Sequence, residues 1–257
     1  MAYWDGSKVK TTPLSNWNTS LGTAIGVVVV PTGFAPDGKV RIIGLKSVDE
    51  HGNQSDSYLS IAWGGYGTDT SLTNYINVPT TDNAGSTSSG SNSYGQIPSD
   101  NFTGTTSFVD PKAKYKVTSN LIPSPYLGDS PNPEYYKTLS GNNVLSDFNG
   151  LSNTETLDGL GIITYKAANA AWKYNDGSSN LQWYLPGMGE LGYVMPRFNE
   201  INNTITALGG LAIASSGGLW SSSENSSNYA YAVDTSNGVV DYGMKQASRY
   251  VRPFAIL

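Results

Sequence analysis

The chain has 257 residues, enough for one large domain or two small ones. Charged residues make up only 14%, while 29 Gly, 17 Tyr and 6 Trp indicate a loop-rich folded domain; a disordered chain has high charge and few aromatic residues. A net charge of −5 does not provide the basic surface that nucleic acid requires, and the lack of cysteine excludes disulfides, thiolate metal sites and a cysteine nucleophile.

The first 20 residues are expected to form an irregular lead-in. Their start, "MAYWDGSKVK", has no apolar core of signal-peptide length, and the apolar run "AIGVVVV" (24–30) is too short to span a bilayer. We therefore expect a chain that is not exported by an ordinary signal peptide and is not inserted into a membrane.

A β-hairpin is predicted near the start of the domain. The β-branched run at 25–30 ends at Pro31, and "TGFAPDGK" supplies the Pro, Asp and Gly of a turn. The apolar segment "VRIIGLK" (40–46) follows, so we expect 25–30 and 40–46 to pair.

A long loop-rich insertion is expected at about 49–155. It contains the low-complexity stretch 80–107, a short strand candidate at 113–117, and the proline-rich segment "IPSPYLGDSPNPEYY" (122–136). Residues 21–257 are accordingly interpreted as one domain that carries this insertion.

Two helices are predicted after the insertion. "YKAANAAWKYN" (165–175) is rich in alanine and ends at Asn-Asp-Gly. A second segment, from about 188 to 208, has apolar residues spaced by three and four, and Pro196 is expected to kink it or to begin a new helical segment.

Four short extended segments close the chain. They read "GGLWSSSE", "NYAYAVDT", "GVVDYGMK" and "RYVRPFAIL", with a hairpin turn at 236–238. Strands at both ends with helices between them predict an α+β fold in which the N- and C-terminal strands lie close together.

Few residues indicate catalysis or metal binding. His51 is the single histidine and lies in a polar turn with Asp49, Glu50 and Asp56, where a solvated loop is the simpler interpretation. Two oxygen-rich stretches, 128–134 and 176–180, are candidates for a structural calcium, although neither has the EF-hand pattern. No cofactor is predicted.

Three glutamates are candidates for carboxylate chemistry. They are Glu190, Glu200 and Glu224, and each has an adequate structural role; Glu190, for example, begins a helix and can stabilise its positive end. We therefore predict a protein that is not an enzyme.

The stretch "WSSSENSSNYAYAVDTSNG" (220–238) carries a composition typical of adaptable binding loops. Strand alternation places Tyr229, Tyr231 and Val233 on one side and small alanines on the other, so the tyrosines are expected to face outward. Composition alone leaves open whether this is a binding surface or an ordinary solvated strand pair.

Three strings in this order, "WYLPGMGELGYVMPRFNEIN", "LWSSSE" and "YVRPFAIL", resemble the C-type-lectin-fold variable proteins of diversity-generating retroelements, in particular those of gut Bacteroides-type bacteria and their phages. The resemblance covers 155–257 and extends more weakly to the opening hairpin. It implies a C-type-lectin-like fold with a C-terminal variable region, here about 220–257, whose variable side chains line a ligand-binding face.

The resemblance divides this region into two sets. The implied variable, ligand-binding positions are Asn225, Asn228, Tyr229, Tyr231, Asp234, Asp241, Tyr242, Gly243, Met244, Gln246, Ala247 and Arg249. The implied scaffold positions are Trp220, Ser221, Ser222, Ser223, Glu224, Ala230, Gly238, Lys245, Ser248, Tyr250, Val251 and Arg252.

The implied function is receptor binding by a diversified display or phage-tail protein. Its expected partner is a protein or glycan receptor on a target cell, its expected location is a virion tail or a cell surface, and a homo-oligomer is an analogy only. The Glu-Pro-Asn, Gln-Pro-Asp and Trp-Asn-Asp strings of calcium-dependent sugar-binding relatives are absent. A non-diversified adhesin or carbohydrate-binding module of the same fold is the alternative.

Overall fold

The computed structural model describes residues 1–32, 35, 37–72, 76–77, 142–144, 147–236, 238 and 240–257. The strands are β1 (Ala2–Trp4), β2 (Val9–Thr11), β3 (Thr23–Val30), β4 (Arg41–Gly44), β5 (Ser47–Val48), β6 (Gln54–Ser55), β7 (Ser60–Ala62), β8 (Ile76–Asn77), β9 (Asn142–Asn143), β10 (Trp183–Tyr184), β11 (Gly218–Glu224), β12 (Tyr229–Asp234), β13 (Val240–Met244), β14 (Ser248–Tyr250) and β15 (Phe254–Ile256). The α-helices are α1 (Gly150–Gly159), α2 (Lys166–Trp172), α3 (Met188–Leu191) and α4 (Phe198–Ala207). The fold is therefore α+β, as the sequence predicts.

A six-stranded antiparallel sheet joins the two ends of the chain, in the order β10-β15-β4-β3-β1-β2. Strands β3 and β4 form the predicted hairpin, with Val27 opposite Ile43. The last strand, β15, lies beside β4, with Phe254 opposite Ile43. This pairing confirms the prediction that N- and C-terminal strands lie close together. Both strands bury apolar side chains in the same core.

The lead-in was expected to be irregular, and this prediction is wrong, because the segment contributes two strands. Strand β1 pairs with β2 on one side and with β3 on the other. Ala2 and Tyr3 are buried, so this short segment closes the edge of the core. Three-residue strands are too short for alternation to be recognised in sequence.

A five-stranded sheet carries the C-terminal region, in the order β13-β12-β11-β14-β7. Its pairs are antiparallel except β11 with β14. The predicted single strand "RYVRPFAIL" is divided between the sheets, β14 in this one and β15 in the other. Between them, the buried Arg252 guanidinium donates to the carbonyls of Leu211 and Ala212 (2.5 and 2.7 Å), which fixes the crossing.

Four α-helices are present in the described residues, whereas the sequence predicts two. Helix α2 lies within the predicted 165–175 segment, and the second segment is broken into α3, a 3-10 turn (Met195–Arg197) and α4, as Pro196 predicts. Helix α1 was not predicted because its residues lack apolar periodicity. Tertiary contacts through Asn153 and Leu157, both fully buried, hold it.

The expected insertion contains structured ends. Strand β7 pairs with β14 in the five-stranded sheet, and β5 and β6 form a small hairpin. Strands β8 and β9 pair with each other, so the residues that directly precede and follow the segment 78–141 are neighbours. The predicted strand at 113–117 and the candidate calcium segment at 128–134 lie outside the described residues.

Both faces of β12 are buried against different parts of the core. Ala230 and Ala232 belong to an apolar cluster that includes Trp220 and the alanines of α2. Tyr231 and Val233 belong to a second cluster, formed with α3, α4 and the hairpin β3–β4. This arrangement buries β11 and most of β12 between two packed layers, while β13 and β14 keep partly exposed side chains.

Candidate ligand-binding face

Three consecutive serines of β11 are completely buried, and each hydroxyl has a partner. Ser221 Oγ donates to the Tyr231 carbonyl (2.9 Å), and Ser222 Oγ accepts from Asn153 Nδ2 (3.0 Å). Ser223 Oγ donates to Asp147 Oδ2 (2.6 Å), in a site where burial raises the pKa of Asp147. Because buried hydroxyls must be hydrogen-bonded, this polar string forms an internal framework strand.

Glu224 and Lys245 form an ion pair with no exposed surface. The Glu224 carboxylate also accepts from the amides of Thr70 (3.0 Å) and Leu72 (3.3 Å). The Lys245 ammonium donates to the Thr68 carbonyl (2.7 Å) and lies 4.8 Å from the centre of the Trp63 ring. These contacts satisfy both buried charges and fix three chain segments relative to each other.

Two turns meet at one end of the five-stranded sheet. The turn at 225–228 joins β11 to β12, and the turn at 245–247 joins β13 to β14. The Lys245 amide donates to the Asn228 carbonyl (2.9 Å), which links them directly. Six of the implied variable positions lie on these turns or directly beside them: Asn225, Asn228, Tyr229, Met244, Gln246 and Ala247.

A third loop, at 64–70, lies against the same two turns and was missed by the sequence analysis. The Gly64 amide donates to the Lys245 carbonyl (2.9 Å), and the Gly67 amide donates to the Ser227 carbonyl (3.0 Å). Tyr66 is 51% exposed on this loop. The string "WGGYGTD" was the available signal, since an aromatic residue among glycines is common in binding loops.

An aromatic patch, which we define as Tyr229, Tyr242 and Met244, lies on one face of β12 and β13. The two tyrosine rings contact edge to face, with centroids 5.2 Å apart. Met244 is directly opposite Tyr229 across the strands and is 45% exposed. Half-buried tyrosines beside an exposed methionine can supply large contact area to a partner at a low entropic cost.

Asp241 and Arg249 lie on the opposite face of the sheet. Arg249 Nη2 is 3.1 Å from Asp241 Oδ2, and the guanidinium carbon is 5.2 Å from the centre of the Trp220 ring. Successive side chains of β13 point to opposite faces, so Asp241 and Tyr242 diverge. The implied variable positions are therefore distributed over both faces of the edge strand.

Tyr231 was expected to face outward, and this prediction is wrong. The side chain is completely buried beside α3, and its hydroxyl accepts from Asn225 Nδ2 (2.9 Å). Alternation correctly separates Tyr231 from the alanines, but the sequence does not show that a helix covers the tyrosine side.

Gly243 is buried, and Asp234 lies away from the two turns. A Cβ at Gly243 would lie 2.9 Å from Cη2 of Trp220. Asp234 lies at the far end of β12, about 17 Å along the strand from Tyr229. Its carboxylate accepts from the Ser236 amide (2.8 Å) and hydroxyl (2.6 Å), which shapes the hairpin turn.

The three candidate glutamates all form ion pairs. Glu190 accepts from Arg41 Nε (3.0 Å), and Glu200 pairs with Arg197 on the surface (2.7 Å). Burial raises the pKa of Glu190 to about 7, and its Oε2 accepts from the Gly187 amide (2.8 Å), the expected helix-start role. Glu190 and Glu224 have no exposed surface, so neither contacts a molecule outside the protein.

Of the candidate metal ligands in the described residues, Asp176 and Asp49 serve as turn acceptors, and Glu50 and Asp56 pair with lysines. Asp176 accepts from the amides of Ser178 (2.8 Å) and Ser179 (2.6 Å), and Asp49 accepts from the amide of His51 (2.8 Å). Within the described ranges, no three His, Cys, Asp or Glu side chains come together in a way that could hold a metal ion.

No helix in the described part of the chain is long and apolar enough to cross a bilayer. No family model matches this chain, and no curated protein matches it. It is similar in structure to a fimbrial protein from Bacteroides ovatus, with a TM-score of 0.50 and 13% sequence identity. The match covers 100% of this chain and 48% of the fimbrial protein, so this chain spans about half the length of that protein. At this identity the similarity concerns the fold alone.

Proposed function

We propose that this chain is a target-binding protein with a C-type-lectin-like fold and that a retroelement diversifies its C-terminal face. It binds a protein or glycan receptor on a target cell through the aromatic patch and the two turns beside it. Binding depends on surface complementarity with tyrosine anchors, and the chain performs no catalysis.

The observation that carries the proposal is that most implied scaffold positions are buried and most implied variable positions are not. Ten of the twelve implied scaffold residues are buried, the exceptions being Ser248 and Tyr250. Ten of the twelve implied variable residues are at least partly exposed, the exceptions being Tyr231 and Gly243. Positions that tolerate many side chains must reach solvent, because substitutions in a packed core are costly.

Burial of the framework charges also supports this function. The Glu224–Lys245 pair and the serine network of β11 use internal partners, so the framework does not depend on the side chains displayed around it. A display protein requires this separation between a constant interior and a changing surface.

A non-diversified adhesin of the same fold is the second candidate. The fimbrial protein from Bacteroides ovatus favours it, because fimbriae are surface structures and the folds are similar. The same similarity is compatible with a surface location for a diversified protein. The two candidates differ in whether residues 225–250 vary among close relatives.

Sequencing the locus tests the diversification. We expect an adjacent reverse transcriptase gene and a near-copy of the 225–250 coding region that differs only at template adenines. A locus with neither feature, together with constant residues at 225–250 in close relatives, would assign the chain to the adhesin class.

Binding to a panel of intact gut bacterial cells and to a glycan array tests the face itself. The variant M244S removes an apolar side chain that is 45% exposed in the patch, and L14S removes one that is 38% exposed in a 3-10 segment between β2 and β3, outside the sheet that carries the patch. We expect M244S to weaken binding roughly tenfold and L14S to leave it unchanged. Equal effects of the two changes would contradict binding through the patch.

A further inference from the structure

The Arg249 side chain lies in a narrow slot between two glycines. A Cβ at Gly218 would lie 2.3 Å from Arg249 Nη1, and a Cβ at Gly243 would lie 2.9 Å from Nε. Neither position could carry another residue with Arg249 in this place. Glycine on both walls therefore allows the planar guanidinium to enter.

The floor and the end of the slot match the chemistry of a guanidinium. The Trp220 ring forms the floor, 5.2 Å from the guanidinium carbon, and the Asp241 carboxylate closes the end, 3.1 Å from Nη2. Guanidinium groups stack on aromatic faces and pair with carboxylates in a planar geometry, and an ammonium does this less well.

The Arg249 side chain enters the slot from its solvent-facing side. This side chain is 21% exposed, and its guanidinium pairs with Asp241, which is itself 34% exposed. Trp220 is fully buried and held from below, where its Nε1 donates to the Ile61 carbonyl (2.8 Å). Removing Arg249 would thus open the slot outward while its floor stays fixed.

We infer that this slot is a guanidinium-binding site, that Arg249 fills it in the present chain, and that a smaller residue at position 249 lets it take an arginine side chain of the target. The inference rests on the proposed function in assuming that position 249 varies. The binding chemistry belongs to Trp220, Gly218, Gly243 and Asp241, so it applies to variants that keep Gly243 and Asp241, which are themselves implied variable positions.

The probe for the test is N-acetyl-arginine amide, titrated against the full chain and its R249A variant while tryptophan fluorescence and thermal unfolding are followed. We expect saturable binding to R249A, with a dissociation constant on the order of millimolar, and no saturable binding to the unchanged chain. The probe should also raise the melting temperature of R249A alone.

Matched controls separate the slot from general charge attraction. N-acetyl-citrulline amide has nearly the same shape without the charge, and the double variant R249A/D241N lacks the carboxylate. We expect each to weaken binding roughly tenfold or more. The variant R249A/G218A should abolish it, because the added Cβ takes the place of the guanidinium, 2.3 Å from the position of Nη1.

A folded R249A that does not bind the probe, or that binds the citrulline analogue equally well, overturns the inference. If R249A is too unstable to titrate, R249S is measured in the same way, and failure of the probe to stabilise either variant overturns it too. A locus that varies elsewhere in 225–250 but not at position 249 would instead contradict the assumption about this position and leave probe binding as an independent result.

Discussion

Lys245 and Glu224 form a completely buried ion pair that joins the two turns of the candidate binding face. Lys245 lies between the implied variable residues Met244 and Gln246, yet its side chain points inward to Glu224 and Thr68. A completely buried electrostatic contact of the face therefore lies, along the chain, between two exposed residues.

Breaking this pair should be costly. We expect K245M to lower the free energy of unfolding by about 3–5 kcal/mol, because it leaves the Glu224 charge buried without its cation. Urea denaturation measures the change. The matched control is K166M, which breaks the exposed Lys166–Glu50 pair and should cost less than about 1 kcal/mol. Similar losses in the two variants would contradict a buried, tightly coupled pair.

The free energy of unfolding should change with pH because Glu190 titrates differently in the folded and unfolded protein. Because burial raises its pKa to about 7, the folded protein keeps a proton that the unfolded chain releases near pH 4.5. The stability that Glu190 contributes is therefore complete below about pH 4.5 and is lost as the pH rises to 7, a change on the order of 3 kcal/mol.

Comparison of wild type with E190Q measures this contribution. The difference in unfolding free energy should fall across pH 4.5 to 7. E200Q is the control with opposite sign, since Arg197 lowers the pKa of Glu200 and its contribution is lost only as the pH falls through that lowered value. Parallel profiles for wild type and E190Q across this range would contradict the raised pKa.

Tyr231 should behave as a core residue. We expect Y231A to lower the unfolding free energy by about 3–5 kcal/mol, because it leaves a cavity beside α3. Y229A, two residues away on the same face but half-buried, should cost less. Thermal or urea unfolding distinguishes them, and an equal cost would place Tyr231 at the surface.

The serine framework should be sensitive to loss of a single hydroxyl. We expect S223A to cost about 1–3 kcal/mol, because Asp147 and the Met188 amide both lose a buried partner. Ser248 is an implied scaffold residue that is exposed, and S248A should stay within about 0.5 kcal/mol of wild type. A neutral S223A would indicate that water replaces the hydroxyl.

Local patterns were sufficient for several elements. The β-branched run before Pro31 predicted strand β3, the alanines at 167–171 predicted α2, and Pro196 predicted the break before α4. These elements depend on residues that are close in sequence, so periodicity and turn residues are enough to recognise them.

Other features depend on contacts between distant residues. Helix α1 has no apolar stripe and is held by the bond from Asn153 to Ser222, 69 positions away. The loop at 64–70 joins the candidate face through Lys245 and Ser227, which no local pattern indicates.

By itself the sequence determined the α+β class, the paired ends of the chain and the position of the C-terminal strands, because strand and helix periods are written in neighbouring residues. Only the tertiary structure decided which side of each strand faces solvent. Tyr231 and Tyr229 share one face of β12, yet Tyr231 is buried in the cluster that α3 and α4 help to form, whereas Tyr229 is only partly buried. Burial is a property of what packs against a strand, and the strand's own sequence does not specify it.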